Sequence, residues 1–118
     1  KITAADLKCK VSVTDLADDA ALKAAIAQAD ILVNATKVGM KPLDGQSLIK
    51  KEYLRPELVV ADTVYNPKET QMIKDAQEAG CKAAVGGIGM LLWQGVAAFK
   101  LFTGKDMPHE EVFEKFFA

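Results

Sequence analysis

The feature that most limits what this chain can fold into is an alternation of short β-branched runs with stretches of helical spacing. That is the pattern of a parallel sheet covered by helices. The first run, Lys10 to Thr14, precedes a helix predicted over Asp18 to Ala29, where Leu22, Ile26 and several alanines recur at helical spacing. The second, Asp30 to Asn34, is continuously apolar from Ile31 to Val33 and predicts a strand buried on both faces. A polar loop from Ala35 to Pro42 follows it. The third strand, Leu58 to Asp62, comes after the Pro56 break and leads into Thr63-Val64-Tyr65-Asn66-Pro67. Asn66 reads there as an N-cap, Pro67 as a first helical residue and Glu69 as the closing member of a capping box, so the spacing predicts a helix to Ala79, stopped by Gly80. Lys82 to Val85 predicts a fourth strand, ended by Gly86-Gly87-Ile88-Gly89. A helix over Met90 to Phe102 then closes at Gly104, and Pro108 opens a final helix whose apolar stripe is Val112, Phe113, Phe116 and Phe117.

The chain opens in mid-unit. Lys1 to Lys8 reads as the end of a helix, and no Gly-x-Gly-x-x-Gly turn follows a strand anywhere. The expectation is one α/β domain spanning residues 1–118, with a parallel sheet, helices on both faces and the first βαβ unit missing. A chain of 118 residues, half of them hydrophobic, can bury a normal core.

Several functions are disfavoured. Fifteen basic residues are scattered among sixteen acidic ones, for a formal net charge of −1, so no electrostatic footprint for nucleic acid or an anionic membrane stands out. No apolar run reaches the ~20 residues that span a bilayer. Cys9 and Cys81 lie far apart, without a second ligand at metal spacing, and are expected to be free, small packing residues in a reducing cytoplasm. His109, beside Glu110 and Glu111, is expected on an exposed helix surface. Asp15, Asp44 and Asp62 read as caps, not as catalytic acids.

In open α/β sheets ligands bind beyond the carboxyl ends of the strands, which directs attention to the loops after Val33, Asp62 and Val85. Asn34-Ala35-Thr36-Lys37 offers an amide, a hydroxyl and a cation suited to a carboxamide or phosphate edge; alternatively Asn34 satisfies its own turn. Tyr65 could hydrogen-bond a polyol or carboxylate, or be a buried aromatic bonded to backbone. The glycines at 86, 87 and 89 either admit a ligand close to backbone amides or provide a tight turn needing positive φ. Gln94 is an amide within an apolar helix, one turn from Met90, and is read as a ligand contact rather than a satisfied core glutamine.

Taken together, Asn34 to Pro42, Asp62 to Pro67, Gly87 to Gln94 and Phe102-Thr103-Gly104 resemble, in order and spacing, the C-terminal motifs of the shikimate dehydrogenase family. The lysine after Asn-Ala-Thr is more similar to the quinate/shikimate branch than to forms with serine there. The resemblance implies a partial Rossmann-like NAD(P)-binding domain and reversible oxidation of a cyclic polyol carboxylate, shikimate or quinate, to its 3-dehydro ketone, with hydride passing to NAD or NADP. It implies that Thr36, Lys37, Thr63, Val64, Tyr65, Asn66 and Gly87 line the coenzyme, that Met90 lies near the nicotinamide, and that Tyr65 and Gln94 contact the substrate. The family's catalytic lysine and aspartate belong to an N-terminal substrate domain, and its glycine-rich turn would precede Lys1. The chain alone is therefore expected to be inactive and to need that missing domain. One extra residue between Ala83 and Gly86 leaves open whether Gly86 or Gly87 meets the coenzyme. A non-catalytic α/β binding module, a dehydrogenase for a related acid such as aminoshikimate, and assembly as a homodimer also stay open.

Overall fold

A computed structural model describes residues 9–118. The reading of Lys1 to Lys8 as a helix end lies outside the described residues. A three-stranded parallel sheet in the order β1-β2-β3 is formed by β1 (Ile31–Asn34), β2 (Val59–Asp62) and β3 (Ala83–Val85). Helix α1 (Asp19–Gln28) precedes β1, α2 (Gln71–Glu78) links β2 to β3, and α3 (Ile88–Thr103) and α4 (His109–Phe116) follow β3. Among the described residues no helix is long and apolar enough to cross a membrane.

Parallel pairing puts residues that are in register on the same face of the sheet, and the two faces differ here. Leu32, Val60 and Ala84 share one face. Val60 is fully buried in a cluster with Ile26 of α1, Met72, Ile73 and Ala76 of α2, and Ile49, Tyr53 and Leu58 from the long β1–β2 connection. On the opposite face Ile31 is 62 % and Val33 54 % exposed. The strand expected to be buried on both faces is thus covered on one among the described residues.

Local boundaries follow identifiable caps. Asp18 accepts from the Ala21 amide at 3.0 Å to start α1. The guanidinium of Arg55, from a distant loop, donates to the Ala27 and Ala29 carbonyls at its other end, where a cation also meets the negative pole of the helix. Gly80 and Gly104, both at positive φ, stop α2 and α3 as the sequence predicts. Pro108 caps α4, and the single histidine, His109, is half-buried with its ring 5.0 Å from that of Trp93 on α3. The free helix surface expected for His109 is therefore a contact between α3 and α4.

Other expectations fail at specific points. Lys10 to Thr14 is not a strand: it pairs with no other strand among the described residues, and Val13 is 94 % exposed. A β-branched run whose backbone groups have no ladder partner gains nothing from extended pairing. The helix after β2 starts at Gln71, not at Pro67, because its N-cap is Thr70, whose hydroxyl accepts from Ile73 N while donating to a buried carboxylate. Glu69 therefore closes no capping box and instead accepts from Gln77 at 3.3 Å. A 3₁₀ turn at Lys51–Tyr53, which no spacing in the sequence predicts, carries the buried Tyr53. Cys81 packs against the core while Cys9 is exposed; both are free thiols.

The Tyr53 hydroxyl donates to Asp19 at 2.6 Å, and Lys50 joins the same carboxylate oxygen at 2.9 Å. The Tyr53 hydrogen bond first, and Lys50 second, hold the Asp19 carboxyl below its ordinary range, while Asp19 pushes the Lys50 ammonium up to about 12. A depressed carboxyl stabilises the fold above its unfolded pKa and loses that contribution as pH falls through the folded value. Asp19→Asn should therefore lower the unfolding midpoint at neutral pH, with the gap from the native protein closing below about pH 4 and shrinking in high salt. Thermal melts across a pH series check this.

Candidate functional site

The strand ends generate the site. Asn34 and Asp62 are register partners at the carboxyl ends of β1 and β2. The loops that leave them face each other across a concave cavity of about 290 Å³ lined by Thr36, Met40, Lys41, Asp44, Thr63, Val64, Tyr65, Asn66 and Pro67. The lining mixes hydroxyls, an amide, a phenol and opposite charges with apolar side chains, the composition of a small polar ligand's seat.

Asn34 does not face the cavity. It is 7 % exposed and its side chain is fully engaged within the protein. Nδ2 donates to the Val38 carbonyl at 2.9 Å and to Asp62 Oδ1 at 3.0 Å, and Oδ1 accepts from the Thr36 amide and hydroxyl. Of the two alternatives for Asn34, the turn organiser is the one observed. Lys37 is exposed and outside the cavity lining, with its carbonyl accepting from Met40 N at 3.3 Å.

Thr63, Val64, Tyr65 and Asn66 form the opposite wall. Tyr65 is 48 % exposed, which removes the buried-aromatic alternative and leaves its phenol at the cavity. Val64 is buried, and its carbonyl accepts from the Gly87 amide at 3.1 Å.

That hydrogen bond explains the glycine run. Neither Gly86 nor Gly87 has positive φ, so a tight left-handed turn is not the reason for glycine here. A Cβ on Gly87 would sit 2.4 Å from the Thr63 carbonyl oxygen and 2.6 Å from that of Val64. The position needs glycine because two backbones touch. The Gly87 amide is also spent inside the protein, against the expectation that it would be offered to a ligand. At Gly86 the added carbon would meet the Lys68 carbonyl at 3.0 Å.

Gly87, Met90 and Gln94 do not line the cavity. Met90 is 54 % exposed in the first turn of α3. Gln94 is exposed as well, and its Nε2 donates to the Leu91 carbonyl of its own helix at 2.9 Å. An apolar helix does not bury its amide here, because the apolar face of α3 is itself largely uncovered, with Trp93 at 56 % and Leu101 at 84 % exposure. Lys41 and Asp44 were not assigned to the site from sequence. Lys41 comes from the Ala35 to Pro42 loop, and Asp44, expected as a cap, lines the cavity instead.

Comparison with known proteins decides the family. Residues 87–115 match the model of the shikimate 5'-dehydrogenase C-terminal domain. The chain is 57 % identical over 100 residues to a shikimate dehydrogenase (NADP(+)) of Streptococcus uberis, covering 84 % of this chain and 34 % of that protein. The chain belongs to the shikimate dehydrogenase family. A quinate/shikimate dehydrogenase of Escherichia coli is 55 % identical over 105 residues, covering 88 % of this chain and 36 % of that one. Shikimate 5-dehydrogenase from Listeria monocytogenes, solved with shikimate and NAD, superposes with a TM-score of 0.90 at 42 % identity over 97 % of this chain and 39 % of its own. The chain spans about a third of the length of the curated relatives it matches. Against this shikimate dehydrogenase scaffold, the parallel sheet with helices and the Rossmann-like architecture stand as read from sequence.

Proposed function

We propose that the chain is the C-terminal part of an NAD- or NADP-dependent dehydrogenase that reversibly transfers hydride between the coenzyme and shikimate or quinate. The observation that carries this reading is the superposition at a TM-score of 0.90 on an enzyme solved with shikimate and NAD. The coenzyme supplies the hydride acceptor.

The residues present suit part of such a group. A cavity of about 290 Å³ lies at the bottom of the ~300–1,000 Å³ range of small-molecule sites, so it would seat one end of a dinucleotide rather than the whole. Thr36, Thr63 and Asn66 supply hydroxyl and amide groups at its wall, Val64 and Met40 supply apolar surface, and Tyr65 supplies a phenol reaching outward. Gly87 contributes through the close packing that sets the position of residues 63 and 64, and its neighbour Gly86 is not required as a direct contact. Lys37, Met90 and Gln94 are solvent-facing and suit contacts to the outer end of the coenzyme or to substrate. Proton transfer to and from the substrate hydroxyl is assigned to an N-terminal substrate domain outside this chain, a reading supported by the match covering only 34 % and 36 % of the two curated relatives. Two free thiols suit a reducing cytoplasm.

Substitutions separate the two roles. In the full-length protein, Gln94→Ala should raise the KM for shikimate or quinate several-fold more than the KM for the coenzyme, as expected when a ~1 kcal/mol hydrogen bond to substrate is lost. Equal or absent changes would remove Gln94 from the substrate site while leaving the family assignment intact.

A further inference from the structure

Asp62 is 4 % exposed and forms no ion pair among the described residues, and the hydrogen bonds it accepts come from the end of β1, the loop after β2 and the N-cap of α2. Oδ1 accepts from Val64 N at 2.9 Å and from Asn34 Nδ2 at 3.0 Å, and Oδ2 accepts from Thr70 Oγ1 at 2.6 Å. A buried carboxylate without a cation is costly unless fixed donors replace water. Here the donors are a backbone amide, a side-chain amide and a hydroxyl, each from a different segment.

We propose that Asp62 is a positioning residue whose carboxylate locks the loops after β1 and β2 into one arrangement and thereby sets the shape of the coenzyme wall. The inference rests on the proposed function for its coenzyme readout. Through Asn34 the carboxylate is one hydrogen bond from the groups that hold Thr36 and Val38. Through Val64, whose carbonyl takes the Gly87 amide, it reaches the turn before α3. Gly39, at φ 105°, lies over the same centre: a Cβ there would meet the Thr70 methyl at 3.2 Å and Asp62 Oδ2 at 3.9 Å. The loop after β1 thus closes over the carboxylate and excludes water from it. Capping α2 alone would need only the Thr70 hydroxyl, and the carboxylate adds the coupling between strand ends. Of the cavity residues, Val64 is held by the carboxylate directly and Thr36 through Asn34.

The test uses the full-length protein and the variants Asp62→Ala, Asp62→Asn, Thr70→Val and Thr70→Ser. Three quantities are read: unfolding midpoint, Kd for NAD+ and NADP+, and hydrogen exchange at the Thr36, Val38 and Val64 amides without coenzyme. Asp62→Ala should weaken coenzyme binding roughly tenfold to a hundredfold and speed exchange at all three amides together. Asp62→Asn keeps an oxygen for Val64 and Asn34 but turns an amino group toward Thr70, so it should fall between. Thr70→Ser, which retains the hydroxyl, should recover most of the affinity lost in Thr70→Val. If Asp62→Ala does not fold, the Asn and Thr70 variants decide. Folded variants with a lowered midpoint but unchanged coenzyme Kd and unchanged loop exchange would overturn the proposal, since a merely structural role gives that result. A native protein that binds neither coenzyme would overturn the functional reading instead, and loop exchange would still score the positioning role.

Discussion

Replacing Gly87 with alanine is expected to destabilise the protein by about 1–3 kcal/mol, with the upper end favoured because the obstruction is backbone. The new methyl would lie 2.4 Å from the Thr63 carbonyl oxygen, 2.6 Å from the Val64 oxygen and 2.7 Å from the Thr63 carbonyl carbon. No rotamer can relieve this, so either α3 retreats from the sheet or the 63–64 wall moves into the cavity. Both outcomes stretch the hydrogen bond from Gly87 N to Val64 O. The coenzyme KM should therefore rise along with the loss of stability. Backbone torsion is not the cause, since φ at Gly87 is −75° and alanine adopts that freely. Gly95 supplies the contrast. It lies inside α3 with nothing within 4 Å of an added Cβ, so Gly95→Ala should stabilise by up to about 1 kcal/mol from helix propensity. Denaturant unfolding of the two variants beside the native protein measures both.

Leu58→Ala should cost more, about 2–5 kcal/mol. Leu58 has no exposed surface, and it sits just before β2 among Val60, Ile73 and Ala76, where α2 and the sheet meet. Its main chain is fixed on both sides: the amide donates to Arg55 O and the carbonyl accepts from Lys82 N. The neighbours therefore cannot collapse far into the cavity left behind, and incomplete relaxation is what moves a leucine truncation up this range. Against a total stability of about 5–15 kcal/mol, the loss is a large fraction. Lys74→Ala, on the exposed side of α2, should stay within about 0.5 kcal/mol. Urea midpoints at constant slope distinguish the two.

The parallel sheet and its helices were legible because three of the apolar runs have partners and bury Leu32, Val60 and Ala84 on one face. The run at Lys10 to Thr14 is also β-branched and is no strand, because pairing depends on what lies alongside and not on the run itself. The start of α2 was misread for a related reason. Asn66-Pro67 is a good local cap, but Thr70 gains a buried bond to Asp62 that no local pattern contains. Glycine at 87 stands out in the sequence, whereas the reason it must be glycine, a backbone touching residues 63 and 64, is a contact across 23 and 24 positions of sequence. The motifs located Thr36, Thr63, Val64, Tyr65 and Asn66 at one cavity because all follow strand ends, where topology alone brings loops together. The exposure of Gln94 is not legible in its apolar helix, since apolarity does not say which neighbour covers a face. Lys41 and Asp44 have no such signal, because a charge in a loop has no spacing to distinguish lining from solvent.

The most direct test of the account is an assay of the full-length protein with NAD+ or NADP+ and shikimate or quinate, followed by the absorbance of the reduced nicotinamide. Formation of reduced coenzyme with at least one pairing, reversed on adding the corresponding 3-dehydro acid and reduced coenzyme, is the predicted result. Absence of turnover with both acids and both coenzymes would contradict it.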